Sequence, residues 1–223
     1  MPTAMKNFFL WEQTVKVLIF PVIYALMFIV LEGIDGTGKT TIIKKLAEEL
    51  KSQGYEIFTT QEPTRTWVGN DVRRAIEEEK NGFTQALLFF ADRAEHVEKL
   101  KTNSNKIILC DRFVYSTYAY QGAQLESIMG LENALLWLES VYEPMRFDPD
   151  AVFLITVDPN EGLRRIYGRE KKEKFEKVEF LRRVQEIYMS IAKKHSFIVV
   201  DGNKSFEDVY NDIKEYVFKL VER

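Results

Sequence analysis

At 223 residues, 46% apolar and 29% charged, the chain is long enough for one α/β domain with a packed core and short for two. Its formal net charge of −3 excludes the broad basic surface that nucleic-acid binding requires, though not a local basic cleft for a small anion. The single cysteine, Cys110, excludes a disulfide framework or a multi-thiolate zinc cluster and predicts a buried core thiol in a reduced, cytoplasmic protein.

The chain opens on a compositional anomaly, an apolar run over residues 17–31 broken only by Pro21. Its last residues, Phe28, Ile29, Val30 and Leu31, read as a strand. What remains is about ten residues, and a membrane span takes about 20. A signal peptide is the second reading, from Lys6 and Lys16 ahead of the apolar stretch. No small-residue cleavage site follows before the strand. We therefore expect residues 1–26 to be a dispensable extension and Met27 to open the folded unit 27–223. A peripheral membrane anchor is the competing reading.

Short apolar runs follow at 28–31, 55–59, 106–110, 151–157 and 197–200. They show little polar alternation, which predicts strands of a parallel sheet buried on both faces. Helical patterns lie between them at 40–53, 84–100, 131–142 and 179–194. The first puts Ile42, Ile43, Leu46, Ala47 and Leu50 on one face and ends at Gly54, a helix-stop residue. Alternation of strand and helix predicts βαβ units with right-handed crossovers. Strands two and three are expected to flank the first, with ligands beyond the strands' carboxyl ends.

Between the first strand and first helix, Gly33-Ile34-Asp35-Gly36-Thr37-Gly38-Lys39-Thr40 fits G-x-x-x-x-G-K-[ST], in the context that motif requires. Backbone N–H groups of such a loop, with Thr41 opening the helix, form an anion site for nucleotide phosphates. Lys39 is expected to reach the β/γ oxygens of ATP, and the Thr40 hydroxyl to face Mg²⁺. The fold class is then a three-layer P-loop NTPase, a five-stranded parallel sheet flanked by helices. A guanine switch would need Asn-Lys-x-Asp. Asn203-Lys204-Ser205-Phe206 lacks the Asp, and Asn105-Lys106-Ile107-Ile108 runs into a strand.

Arg65 follows the second strand in Glu62-Pro63-Thr64-Arg65. Arg93 ends Phe89-Phe90-Ala91-Asp92-Arg93 within a helix, and Arg112 follows Asp111 at the end of the third strand. Guanidinium forks suit phosphate oxygens, so convergence of the three would make an acceptor pocket. An Asp-Arg pair at a buried strand end points to a site most directly.

These segments together resemble the thymidylate kinase family. The resemblance rests on Phe28 to Thr41, Glu62-Pro63-Thr64, Leu88 to Arg93, and Asp111-Arg112-Phe113-Val114-Tyr115-Ser116-Thr117-Tyr118-Ala119-Tyr120-Gln121-Gly122. It runs from Met27 onward and implies phosphorylation of dTMP to dTDP by Mg-ATP, in dTTP biosynthesis, by a homodimer. It implies that Asp35 contacts the sugar 3′-hydroxyl and the metal's water shell, with Thr40 and Asp111 toward the metal. Arg65 and Arg112 would hold the acceptor phosphate, Phe89 stack on thymine and Arg93 hydrogen-bond it. Tyr120 would exclude a ribose hydroxyl, and Gln121 assist the base or sugar.

After the fourth strand, Arg164-Arg165-Ile166-Tyr167-Gly168-Arg169 resembles the family's mobile lid, expected near 160–177. Arg165 and Arg169 are four apart and share a helical face. Some family members carry an arginine in the phosphate loop where this chain has Gly36, so charge is expected from the lid, with Arg165 or Arg169 reaching the transferred group. Lys39, Arg112, Arg165, Arg169 and Asp35 form the expected catalytic set. Two alternatives stand beside this reading. One is a deoxynucleoside kinase with Glu62 as general base. The other is a non-catalytic P-loop module.

Overall fold

The computed structural model describes residues 27–167 and 174–222. The expectations for residues 1–26 and for Arg169 fall outside them. Five parallel strands form one sheet: β1 (Met27–Glu32), β2 (Ile57–Gln61), β3 (Ile107–Asp111), β4 (Ala151–Thr156) and β5 (Ile198–Asp201). Their order is β2-β3-β1-β4-β5. This corrects the expectation that strands two and three flank the first: β1 lies between β3 and β4, and β2 is an edge strand beyond β3.

The apolar strands are explained by the two layers they separate. Phe28 and Val30 of β1 enter one core with Ile108, Cys110, Val152 and Leu154. Ile29 and Leu31 enter the other with Ile107, Leu109, Phe153 and Ile155. Successive side chains point to opposite faces, so a strand covered on both sides is apolar at every position. Each such buried aliphatic side chain contributes about 1.5–3 kcal/mol.

The second core is closed by α1 (Lys39–Ser52) and α8 (Phe206–Val221). The first is closed by α3 (Gly82–Thr102), α4 (Val114–Met129), α5 (Leu131–Tyr142) and α7 (Lys174–His195). Two short helices complete the chain, α2 (Trp67–Glu77) and α6 (Pro159–Tyr167). Apolar periodicity did not single out α2, α4 or α8. In α4, residues from Val114 through Ala119 are all buried, as are Gln121, Gly122 and Leu125. A helix covered nearly all round has no stripe to read. The capped starts of α2 and α8 are local: Thr66 Oγ1 accepts from Gly69 N, and Ser205 Oγ from Asp208 N. Among the described residues no helix is long and apolar enough to cross a membrane.

Candidate active site

The loop Gly33–Gly38 turns from β1 into α1 at the carboxyl edge of the sheet. Lys39 Nζ folds back over it and donates to Gly33 O at 3.0 Å, Ile34 O at 2.9 Å and Thr37 Oγ1 at 3.0 Å. Burial, and then the nearby Arg112 guanidinium, push the Lys39 ammonium down to about 7. Thr40 Oγ1 donates to Asp111 Oδ2 at the end of β3. A hydroxyl and one carboxylate are hard oxygen donors, which suit Mg²⁺ shared with nucleotide phosphates rather than held in a protein cage. Among the described residues no cluster of three or more His, Cys, Asp or Glu offers such a cage.

Arg112 adopts φ +68°, a left-handed backbone rare outside glycine. Its Nη2 donates to Asp35 Oδ1 at 2.5 Å and its Nη1 to Ser116 Oγ at 3.2 Å. The guanidinium lies 5.2 Å from the Tyr120 ring centroid. Burial would raise the Asp35 carboxyl, but Arg112 and Lys39 outweigh it and hold it below its usual range. Beneath them Glu32 is fully buried. It accepts from Phe113 N at 2.9 Å, Ser116 Oγ at 2.6 Å and Tyr188 OH at 2.9 Å. Burial nevertheless raises its carboxyl above the usual range.

Arg112, Asp35, Phe89, Tyr120 and Gln121 line one cavity of about 750 Å³. Arg65 is not among them. It is exposed and lines the neighbouring cavity of Thr40 and Asp111. Arg73 does line the Arg112 cavity. Its Nη1 donates to Pro63 O at 3.1 Å, and its Nη2 to Thr64 O at 2.6 Å. Gly69, one helical turn earlier, lets α2 approach: a Cβ there would stand 2.7 Å from the Thr64 carbonyl carbon. The Thr66 cap, Gly69 and Arg73 together were the available signal, and α2 had to be recognised first.

Arg93 is fully buried and does not line this cavity. Its Nε and Nη2 donate to Glu62 Oε2 at 3.0 and 2.5 Å, and its Nη2 also to Thr117 Oγ1 at 2.9 Å. Glu62 Oε1 pairs with His96 Nδ1 at 2.9 Å. Burial would raise the Glu62 carboxyl, but Arg93 and His96 hold it below its usual range. A carboxylate so engaged on both oxygens is a weak general base. Three buried side-chain polar atoms lack a hydrogen-bond partner among the described residues: Arg93 Nη1, Gln121 Oε1 and Gln124 Oε1. All three belong to α3 and α4, where Phe89 also sits. Gln121 and Gln124 line the Phe89 cavity, and unpaired oxygens there suit a polar ligand.

Arg165 does not face this cavity. Its Nη1 and Nη2 each donate to Gly202 O at 3.2 Å, and Nη1 to Gly36 O at 3.4 Å. It lines a third cavity, of about 550 Å³, with Gly38 and Lys204. In this arrangement the Gly36 and Gly202 carbonyls hold the Arg165 guanidinium.

A phosphate loop at the end of β1, beside an arginine-lined cavity beyond β1 and β3, defines a P-loop protein that sets a nucleotide's phosphates against a second anion. The family model for thymidylate kinase matches residues 31–213. A probable thymidylate kinase of Methanosarcina acetivorans is 38% identical, over 87% of this chain and 97% of the relative. One from Methanocaldococcus jannaschii is 40% identical, over 86% and 95%. One from Pyrococcus horikoshii is 41% identical, over 83% and 93%. The chain belongs to the thymidylate kinase family.

Proposed function

We propose that this protein transfers the γ-phosphoryl group of ATP to dTMP, releasing dTDP and ADP. The observation that carries the reading is the acceptor cavity itself. Arg112 and Arg73 supply cationic forks to its lining, and Phe89 with the unpartnered Gln121 oxygen suits a base. The acceptor phosphate needs no general base, because its second pKa is about 6 and it is already a dianion at neutral pH. The chain's work is then positioning and charge stabilisation. Lys39 meets the donor phosphates, Arg112 and Arg73 aim the acceptor, and Leu163 with Phe180 helps exclude water from the cavity. Thr40 and Asp111 would hold Mg²⁺, which when bound neutralises charge on the donor phosphates. The cavity of Arg165 and Lys204 adjoins the outer side of the loop and suits the donor's base and ribose.

The decisive experiment is ADP release with Mg-ATP against dTMP, thymidine and UMP. Turnover with dTMP and little with thymidine is expected. Turnover with thymidine alone would reject the anion-acceptor reading and return Glu62 to the role of base. ATP binding without turnover on any acceptor would leave a non-catalytic module.

Two further outcomes follow from the geometry. Arg73→Ala is expected to raise KM for dTMP at least tenfold, since a lost charge-assisted bond is worth about 1.5–3 kcal/mol. Arg65→Ala should change it less than threefold, and steady-state kinetics on the pair would expose the reverse ranking. Nucleotide phosphates should restore the Lys39 charge, raising its pKa from about 7. Binding then takes up a proton, and ATP affinity falls as pH rises above that value. Calorimetry at pH 8 in buffers of different ionisation enthalpy should register uptake approaching one proton. Zero uptake would mean that nucleotide binding leaves the Lys39 charge unchanged.

The homodimer implied by the family resemblance is part of the proposal. A monomeric mass by light scattering would remove it.

A further inference from the structure

The carbonyl oxygen and the amino group of a glutamine are nearly the same size, and the bonding network decides which faces where. In the acceptor cavity one backbone group makes that decision for a whole cluster. Gln85 Nε2 lies 2.6 Å from Lys80 O. A backbone carbonyl can only accept, so the Gln85 amino group must face it and Gln85 Oε1 must face the other way. That oxygen accepts from Gln121 Nε2 and from Gln124 Nε2, each at 3.3 Å. An acceptor obliges both amides to present N–H, which turns their own oxygens away from Gln85. Gln121 Oε1 is buried and without a partner among the described residues. Gln121 lines the same cavity as Phe89.

We propose that Gln85 is a positioning residue for base selection. By accepting the Gln121 amide N–H, it fixes the Gln121 oxygen as an acceptor for a ring N–H of the bound base. The inference rests on the nucleoside monophosphate reading of this cavity. Thymine and uracil carry a ring N–H between two carbonyls. Cytosine carries a bare ring nitrogen there, and two acceptors facing each other leave both unbonded. Sites that read a substrate by buried polar groups discriminate through the pairs left unmade. Orientation of the amide therefore sets the sign of the preference.

The test is the ratio of kcat/KM for dTMP to that for dCMP in four proteins: wild type, Gln85→Met, Gln85→Glu and Gln121→Leu. Gln85→Met keeps length and removes the acceptor, so the Gln121 amide can rotate. The ratio is expected to fall about tenfold, with KM for dTMP rising more than kcat falls. Gln85→Glu keeps an acceptor toward Gln121 but cannot donate to Lys80 O, and it should keep the ratio within about threefold. A residue that merely braces Lys80 would give the two substitutions the same effect, which overturns the proposal. If Gln85→Met fails to fold, Gln85→Leu provides the same comparison. Loss of the ratio in Gln121→Leu but not in Gln85→Met overturns the role of Gln85 alone. A ratio unmoved by Gln121→Leu overturns the reading of the base pocket, and this proposal with it.

Discussion

Arg112→Ala should lower kcat/KM for dTMP by roughly 10²–10³, the loss typical when one preorganised charge-stabilising donor is removed. The whole neighbourhood is arranged to hold this one guanidinium. Its backbone sits at φ +68°, a conformation non-glycine residues keep only when their surroundings enforce it. Arg112 N donates to Leu31 O at 3.0 Å, tying it to the end of β1. Ser116 and Tyr188 hydroxyls contact both its Nη1 and the buried Glu32 carboxylate. Asp35 steers Nη2 from the loop side. Arg112→Lys keeps a charge but not the fork, and should recover less than tenfold, leaving at least about 1.4 kcal/mol of the loss. Steady-state kinetics, with thermal melts to confirm folding, decides. An Arg112→Ala enzyme with wild-type kcat/KM would take this residue out of the mechanism.

Gly36→Ala should cost kcat about 10²-fold by a different route. Gly36 has φ +82°, and a Cβ there would stand 2.8 Å from Gly162 Cα with the Gly162 carbonyl closer still. Two glycines thus let the base of α6 lie against the phosphate loop, where Arg165 reaches Gly36 O. Any side chain at 36 must push α6 away or deform the loop, and a displacement near 1 Å can cost roughly 10² in rate. The left-handed backbone adds about 1–2 kcal/mol of instability. Gly130→Ala separates the two effects. Gly130, between α4 and α5, has φ +79°, and a Cβ added there would meet nothing within 4 Å. It should lose stability through its positive φ and keep kcat. Equal kcat losses at both positions would refute the steric account.

The phosphate loop was legible because its chemistry is local. Backbone N–H groups, Lys39 and Thr40 act within a few consecutive residues, so spacing alone identifies them. Strands β1, β3 and β4 were legible because both faces of each are covered, which writes continuous apolar runs into the chain. The β2 pattern was displaced, 55–59 against Ile57–Gln61, because an edge strand is only half-buried. The helix α4 was illegible for the opposite reason, since burial nearly all round erases its periodicity.

The sequence by itself determined the P-loop, the layers of the fold, the family resemblance and the importance of Arg112. The tertiary structure decided which arginines share a cavity. Strand order put β3 rather than β2 beside β1; Arg65 lines the cavity of Thr40 and Asp111, while Arg73, carried in by α2 over Gly69, lines that of Arg112. It also turned Glu62 from a candidate base into the anchor of Arg93 and His96. These are contacts between residues far apart in the chain. Their geometry depends on which helix and strand ends meet, and no local spacing encodes that.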